Sequence, residues 1–219
     1  MIQKIIPTNV ITGFLGVGKT SFIKTLLSHK PKDEVWAVLV NEFGEIGIDG
    51  GLLNSDNQQV QIKEVAGGCM CCAAGLPMQV AINQLIAKAK PDRLLIEPTG
   101  LGHPQEVLKV LTQAHYQQIL AMKACITLVD ARKLADHRYT DHEIFNQQLQ
   151  VADLVLASKV DCYDAALIDE LQQYLKQHIL VQGQTISIEP WSDSRSDALI
   201  ATILASINLP HKKPANQHK

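Results

Sequence analysis

At 219 residues the chain is long enough for one α/β domain with a sizeable core and short for two. Hydrophobic residues make up 46% and charged residues 19%, which excludes a disordered chain, and the formal net charge of −2 argues against nucleic acid or an anionic lipid surface as partner. No apolar run approaches the ~20 residues a membrane-spanning helix needs, and Met1–Pro7 runs straight into a strand pattern rather than a signal peptide.

The first predicted element is a buried strand over Lys4–Ile11, mostly apolar and β-branched. It leads into Gly13-Phe14-Leu15-Gly16-Val17-Gly18-Lys19-Thr20, a complete G-x-x-x-x-G-K-[ST] phosphate loop. In such a loop glycines let backbone N–H groups close around phosphate oxygens, Lys19 neutralises the β/γ charge, and the Thr20 hydroxyl reaches Mg²⁺. Phe22, Ile23, Leu26 and Leu27 then repeat at helical spacing until Pro31 forbids continuation, so phosphates would sit at a positive helix N-terminus. The expected nucleotide contacts are Gly13, Gly16, Val17, Gly18, Lys19, Thr20 and Ser21. Ser21 also argues against a dinucleotide enzyme, because G-x-G-x-x-G would need Gly there.

Further strands are predicted over Val35–Val40, Gln59–Val65, Arg93–Ile96, Ala124–Val129, Leu154–Ala157 and Thr185–Ile188. Between them a helix begins near Pro77, with Met78, Ile82, Leu85, Ile86 and Ala89 on one face, and stops before Pro91. Other helical stretches cover Pro104–His115, His142–Val151, Asp164–His178 and Ser196–Ile207. The alternation reads as an α/β fold: βαβ units building a mainly parallel sheet flanked by helices. Residues 1–209 read as one domain and 210–219 as a frayed tail, whose His211 and His218 are weak grounds for a metal role.

Ligands of open α/β sheets bind at the carboxyl ends of strands, and the unusual residues cluster there. Val35–Val40 is followed by Asn41-Glu42-Phe43-Gly44-Glu45-Ile46-Gly47-Ile48-Asp49, an acidic, glycine-containing loop that alone would read as a solvated surface loop. Arg93–Ile96 is followed by Glu97-Pro98-Thr99-Gly100-Leu101-Gly102. Glu97 suits the Walker B acid that holds Mg²⁺, and the Gly100 N–H suits a γ-phosphate reporter. Asp130, which also ends an apolar strand, is the rival, without the Thr-Gly turn. Leu154–Ala157 is followed by Ser158-Lys159-Val160-Asp161, close to the [NT]-K-x-D guanine motif with Ser at its first position. Asp161 would accept from the guanine N1–H and N2–H₂ while the Lys159 stem covers the base; adenine lacks that donor pair.

The turn Gly67-Gly68-Cys69-Met70-Cys71-Cys72 holds three of the five cysteines. Adjacent Cys71 and Cys72 have Cα atoms ~3.8 Å apart, closer than disulfide geometry favours. Three thiols entered through two glycines suit one soft or borderline cation such as Zn²⁺ or Co²⁺. The fourth position is open to Glu42, Glu45, a histidine such as His103, or water, and a site of three protein ligands suits exchange better than structure. A redox-active thiol cluster or small buried side chains are the alternatives. Cys125 reads as core and Cys162 is left unassigned. Cysteine usage of this kind suits a reducing, cytoplasmic setting.

GFLGVGKT at 13–20, NEFGEIGID at 41–49, GGCMCC at 67–72, EPTGLG at 97–102 and SKVD at 158–161, in this order, resemble the CobW-like GTPases of the SIMIBI class of P-loop proteins. The resemblance implies GTP hydrolysis coupled to handling of a transition metal, commonly zinc or cobalt, for a metal-requiring recipient protein. It also implies that Lys19 and Thr20 bind phosphate and Mg²⁺, that Glu97 is the Walker B acid, and that Glu42, Cys69, Cys71 and Cys72 are metal-site candidates. Asp49 falls in the switch region and would complete the Mg²⁺ shell in the GTP state. Family members often continue into a C-terminal domain, so the chain reads as the GTPase domain alone, and Ile188-Glu189-Pro190 departs from the usual base-contacting loop. A nucleotide-dependent homodimer and a slow intrinsic GTPase rate are further expectations, since no obvious glutamine or arginine finger stands out. Two rival functions remain at this point. One is a metal-buffering protein with a structural nucleotide site; the other is a P-loop kinase acting on a small molecule.

Overall fold

The computed structural model describes residues 4–40, 60–65, 76–180, 186–192 and 196–212. In chain order, β1 (Ile6–Gly13) passes through the phosphate loop into α1 (Lys19–Ser28), then β2 (Trp36–Val40), β3 (Val60–Glu64), α2 (Leu76–Ala89) and β4 (Arg93–Glu97). There follow α3 (Pro104–Leu111), a single turn α4 (Ala114–Gln117), β5 (Leu120–Met122), β6 (Ile126–Val129) and the short α5 (His137–Thr140). The chain closes with α6 (Glu143–Gln150), β7 (Leu154–Ser158), α7 (Ala166–Tyr174), β8 (Ser187–Trp191) and α8 (Asp197–Ser206).

β1 is buried along its length except at half-buried Pro7, as a central strand must be. It pairs with β4 on one side; on the other, β5 takes its first residues and β6 its last. The sheet order is β3-β2-β4-β1-β6-β7-β8, with every strand pairing parallel, so the carboxyl ends share one edge. Both faces are covered, which explains why the strands are apolar at successive positions. Ala37 and Leu39 of β2 face the cluster built by Met78, Ile82 and Leu85 of α2, whereas Trp36, Val38 and Val40 face Phe22, Ile23 and Leu26 of α1. A third cluster packs Phe145 and Leu149 of α6 and Leu171 of α7 on Val155 and Ala157.

The parallel, helix-flanked sheet is the architecture expected from the alternation, and three differences have physical reasons. β5 spans three residues, too few for a periodic pattern. The last strand runs to Trp191 instead of stopping at Ile188, because it lies at the end of the sheet order and an outer strand tolerates Pro190, which pairs opposite Ala157. The helix expected over Pro104–His115 is two pieces, separated after Leu111.

The amino-terminal side of the sheet is closed by a polar clasp. Asn9, fully buried in β1, donates through Nδ2 to the carbonyls of Ala124 and Ile207 at 2.9 Å each and accepts from Arg93 Nη1 at 2.6 Å. Arg93 also donates to Asn208 and stacks over the Trp36 ring. Residues 210–212, which the sequence reads as the start of a frayed tail, are hydrogen-bonded: Pro210 bridges Lys123, and Asp153 accepts from the Lys212 N–H at 2.9 Å and pairs with His211 Nδ1 at 2.6 Å. Burying these side chains is tolerable because each makes at least one hydrogen bond, although Arg93 Nε is left without a partner among the described residues. Asn9→Ala strips the two carbonyls and the guanidinium of a shared partner. It is expected to lower stability by about 2–4 kcal/mol, read in urea as a lower midpoint with unchanged slope.

Candidate functional site

The phosphate loop has the backbone its glycines were chosen for. Gly13, Gly16 and Gly18 take φ of 141°, 69° and 99°, all in the region that favours glycine. A Cβ on Gly13 would stand 2.7 Å from the Leu128 carbonyl oxygen and 2.8 Å from Val17 Cγ1, so β1 ends flush against β6. α1 starts at Lys19 with no acidic residue in its first turn, leaving the helix N-terminus attractive to an anion. Lys19 is buried, its Nζ donating to the carbonyls of Gly13 (3.0 Å) and Phe14 (3.3 Å). Thr20 and Ser21 follow, both half-buried. Val17 turns its side chain into the core beneath the loop, which leaves its backbone for a ligand.

On one side of the loop, β4 delivers Glu97, buried, at its carboxyl end. Thr99 and Gly102 close the next turn through a 2.9 Å hydrogen bond from the Gly102 N–H to the Thr99 carbonyl. Gly100 is pressed on the phosphate loop: a Cβ there would lie 2.9 Å from Leu15 N and 2.8 Å from Leu15 Cδ2. The rival acid Asp130, which follows β6, is engaged by Arg132, whose Nε and Nη2 donate to it at 2.9 and 2.7 Å. Burial would raise the Asp130 carboxyl, but the hydrogen bonds and charge of Arg132, with help from Lys159, outweigh burial and hold it below the usual carboxylate range.

On the other side, β7 delivers the S-K-V-D motif. Ser158 ends the strand with its hydroxyl buried and, among the described residues, without a hydrogen-bond partner. Lys159 adopts the left-handed conformation (φ 60°) and sends Nζ back to the Gly16 carbonyl at 2.8 Å, 3.8 Å from Asp130 Oδ2. The motif and the phosphate loop are therefore tied by one side chain. Asp161 and Cys162 are exposed in the turn that follows. Glu189 pairs opposite Leu156, inside β8 and below the carboxyl edge, so the loop facing Ser158 begins after Trp191 rather than at Ile188-Glu189-Pro190. A cavity of about 30 Å³ lies between the phosphate loop and the segment after β6, lined by Phe14, Gly16, Asp130, Lys133, Tyr139 and Lys159.

The metal-site candidates Glu42, Cys69, Cys71 and Cys72, together with Glu45 and the switch residue Asp49, lie outside the described residues. Their anchor points do not. Val40 pairs in register with Glu64 on one side and Glu97 on the other, and the Val65 N–H donates to the Val40 carbonyl at 3.0 Å. The acidic loop and the thiol turn thus leave from neighbouring strand ends beside Glu97. His103 caps α3 and donates through Nδ1 to Gln147 Oε1 at 3.1 Å. Among the described residues no group of three His, Cys, Asp or Glu is arranged for a metal. Cys125 is buried just before β6, its thiol pushed well up by burial, which is the core role expected.

Sequence reading missed Arg132, Gln148 and the aromatic nest around Phe14. Phe14 stacks against Tyr139 and His142 at 5.1 Å, and Gln148, buried on α6, donates to the Gly100 carbonyl at 3.0 Å. Arg132 stood two residues past a noted strand-end acid. The others carried no local signal.

The nucleotide-binding domain profile of the CobW/HypB/UreG family matches residues 7–182. The zinc chaperone YeiR of Escherichia coli (strain K12) is 50% identical over 171 residues, covering 78% of this chain and 52% of its own length. The zinc chaperone CobW of Pseudomonas aeruginosa is 32% identical over 189 residues, covering 73% and 50%. The chain spans about half the length of these curated relatives. Among solved structures, the Zn(II)-bound YjiA GTPase from E. coli superposes with a TM-score of 0.59 at 23% identity, covering 84% of this chain and 60% of that one, a likeness of fold. No helix among the described residues is long and apolar enough to cross a membrane.

Gly100→Ala is the sharpest test of the site's geometry. Its φ is unremarkable, so the added methyl acts through the clash with Leu15 of the phosphate loop. Nucleotide affinity is expected to fall at least about tenfold while far-UV circular dichroism is unchanged.

Proposed function

The chain belongs to the CobW/HypB/UreG family, and from that premise we propose that it is the GTP-hydrolysing domain of a metal chaperone that takes zinc at Cys69, Cys71 and Cys72 and yields it under nucleotide control. The observation that carries this reading is the order of strand ends along one edge. The thiol turn follows β3, the acidic loop follows β2, Glu97 ends β4, the phosphate loop follows β1 and S-K-V-D ends β7. Neighbouring strands stand about 4.8 Å apart, so the thiol exit lies roughly 14 Å from the phosphate loop on one side and the base motif roughly 10 Å on the other. Two sites on opposite flanks of one phosphate loop can sense each other through what lies between.

Each residue takes a role its position allows. The loop N–H groups and the N-terminus of α1 hold the phosphates, and Lys19, already at the loop carbonyls, moves onto the β/γ oxygens. Thr20 and Glu97 offer the hard oxygen ligands that suit Mg²⁺, which would neutralise phosphate charge when bound. Water attacks the γ-phosphorus, the bond to the β,γ-bridging oxygen breaks, and the charge appearing there is met by Lys19 and the loop. Two polar candidates among the described residues do not speed this step. Arg132 is committed to Asp130, and Gln148 to the Gly100 carbonyl, so neither orients the attacking water or reaches the γ-phosphate. A basal rate in the tens per second would contradict this.

Ser158, Lys159 and Asp161 select guanine. Asp161→Asn offers the base one donor in place of one acceptor, and xanthine, with a carbonyl at C2, fits that exchange. GTP affinity is expected to fall at least about tenfold and XTP affinity to rise, measured by competition. ATP outcompeting GTP on the unaltered protein would instead support a small-molecule kinase.

Zinc is the cargo named for the relatives, and a three-thiolate set suits it; Co²⁺ competes for the same ligands. Glu42 would join the thiolates as a metal ligand and Asp49 would complete the Mg²⁺ shell in the GTP state, and hydrolysis would release both. A nucleotide-dependent homodimer is the assembly proposed, with exposed Leu15 and Leu101 available at the phosphate-loop edge, and the recipient is a protein that needs the metal. Coupling of about 1–3 kcal/mol would change zinc affinity about 5–150-fold between nucleotide states, and zinc must change GTP affinity equally. Zinc titrations with a non-hydrolysable GTP analogue and with GDP test this directly. Equal affinities in both states sink the gating and leave metal buffering, in which zinc binding survives Lys19→Ala; under gating, Lys19→Ala abolishes the GTP-dependent change in zinc affinity.

A further inference from the structure

Gln148 is 2% exposed, and its amide Nε2 donates to the Gly100 carbonyl at 3.0 Å. Its own main-chain carbonyl accepts from Thr127 Oγ1 at 2.7 Å, and Thr127 Oγ1 shares a 2.8 Å hydrogen bond with Thr12 Oγ1 of β1. The helix that carries it, α6, grips the same edge at two more points. Gln147 receives the hydrogen bond from His103 at the start of α3, and His142 and Phe145 pack edge-on against Phe14 at 5.1 and 6.3 Å. On its opposite side Gly100 touches Leu15 so closely that no Cβ fits. The Thr99-Gly100 turn is therefore held between the phosphate loop and Gln148.

We propose that Gln148 is a positioning residue for γ-phosphate sensing, orienting the Gly100 backbone through its carbonyl so that the Gly100 N–H stays aimed at the place a γ-phosphate occupies. The proposal rests on the reading of Gly100 as that sensor. Its logic is conformational. Leu15 demands glycine at position 100, and glycine has more backbone freedom than any other residue, so the turn needs an external hold. A neutral amide supplies that hold without placing a charge beside the phosphates, and the main chain that carries it is held by Thr127. With Gly100 read as the γ-phosphate sensor, GDP lacks the group that it meets, so the hold matters for GTP and is idle for GDP.

Affinities of the whole protein for GDP and for a non-hydrolysable GTP analogue, with Mg²⁺, test this. Gln148→Met keeps the volume and removes the donor. GDP affinity is expected to stay within about twofold of the unaltered protein while analogue affinity falls about 3–10-fold, the range of one neutral hydrogen bond. Gln148→Glu adds a readout that a packing role would not move. A protonated carboxyl can donate to the Gly100 carbonyl and an ionised one cannot, so its analogue-to-GDP affinity ratio should recover toward that of the unaltered protein as pH falls from 8 to 5.5, each pH compared with its own control. Parallel loss of both nucleotides in Gln148→Met with no recovery in Gln148→Glu overturns the proposal, as does a Gln148→Met ratio equal to that of the unaltered protein. Unaltered protein that binds neither nucleotide sinks the reading of the whole site; unaltered protein that binds both, with a ratio indifferent to Gln148, sinks this role alone.

Discussion

The site depends on backbone meeting backbone at two glycines. Gly13 ends β1 against the Leu128 carbonyl, and Gly100 lies against the Leu15 N–H, each so close that a methyl group would displace the chain. These contacts seat the phosphate loop between β6 on one side and the turn after β4 on the other. An anion-binding loop works by presenting several N–H groups to one point, and their convergence is lost if the loop floats. Here convergence comes from packing that begins in the sheet. Because β1 is buried on both faces and paired on both edges, its last residue has one place to go.

The same sheet sorts the chemistry. Parallel strands place their carboxyl ends together, and the order β3-β2-β4-β1-β6-β7 spreads the special loops along a line. Oxygen chemistry sits centrally, with Glu97 beside the phosphate loop. Base recognition sits on one flank, tied to the loop by Lys159 through Gly16. Sulfur chemistry leaves from the opposite flank. On the proposed assignments hard and soft ligands would stand on different strands, which would limit capture of the wrong ion: Mg²⁺ prefers oxygen, and thiolates prefer the softer metals. The acidic loop follows β2, the strand between β3 and β4 in the sheet order. Glu42 lies two residues beyond Val40 and Cys69 four beyond Val65, which at full extension bounds them at roughly 7 and 14 Å from those paired ends.

Much of this was legible in the sequence because local chemistry demands it. A phosphate loop cannot be built without its glycines, and a doubly covered sheet must read as apolar runs between amphipathic helices. Both were visible, as was the family. What was hidden is long-range. Gln148 sits in a helix where a glutamine reads as a solvated face; topology brings it under Gly100, 48 residues earlier. Lys159 reaches Gly16 across 143 residues. Asp130 looked like a second Walker acid because strand-end carboxylates are alike in sequence, and Arg132, two residues on, gives it another occupation. His211, placed in the tail by composition, is held by Asp153 because the chain returns along β5.

These long-range contacts explain how one edge can be both rigid and responsive. The base side is fixed by direct links between loops: Lys159 to Gly16, and Lys159 to Asp130 to Arg132. The phosphate loop is fixed from below by Val17 and from the side by the aromatic nest around Phe14. In the proposed function a γ-phosphate would meet a loop already held at these points, so that less of its interaction energy would go into rearranging the loop that binds it. The proposed route of coupling runs from β4 to its in-register neighbour β2, where Val40 pairs with Glu97. Under the proposed gating, zinc and nucleotide would bias one another through this Val40–Glu97 pair rather than through the base flank.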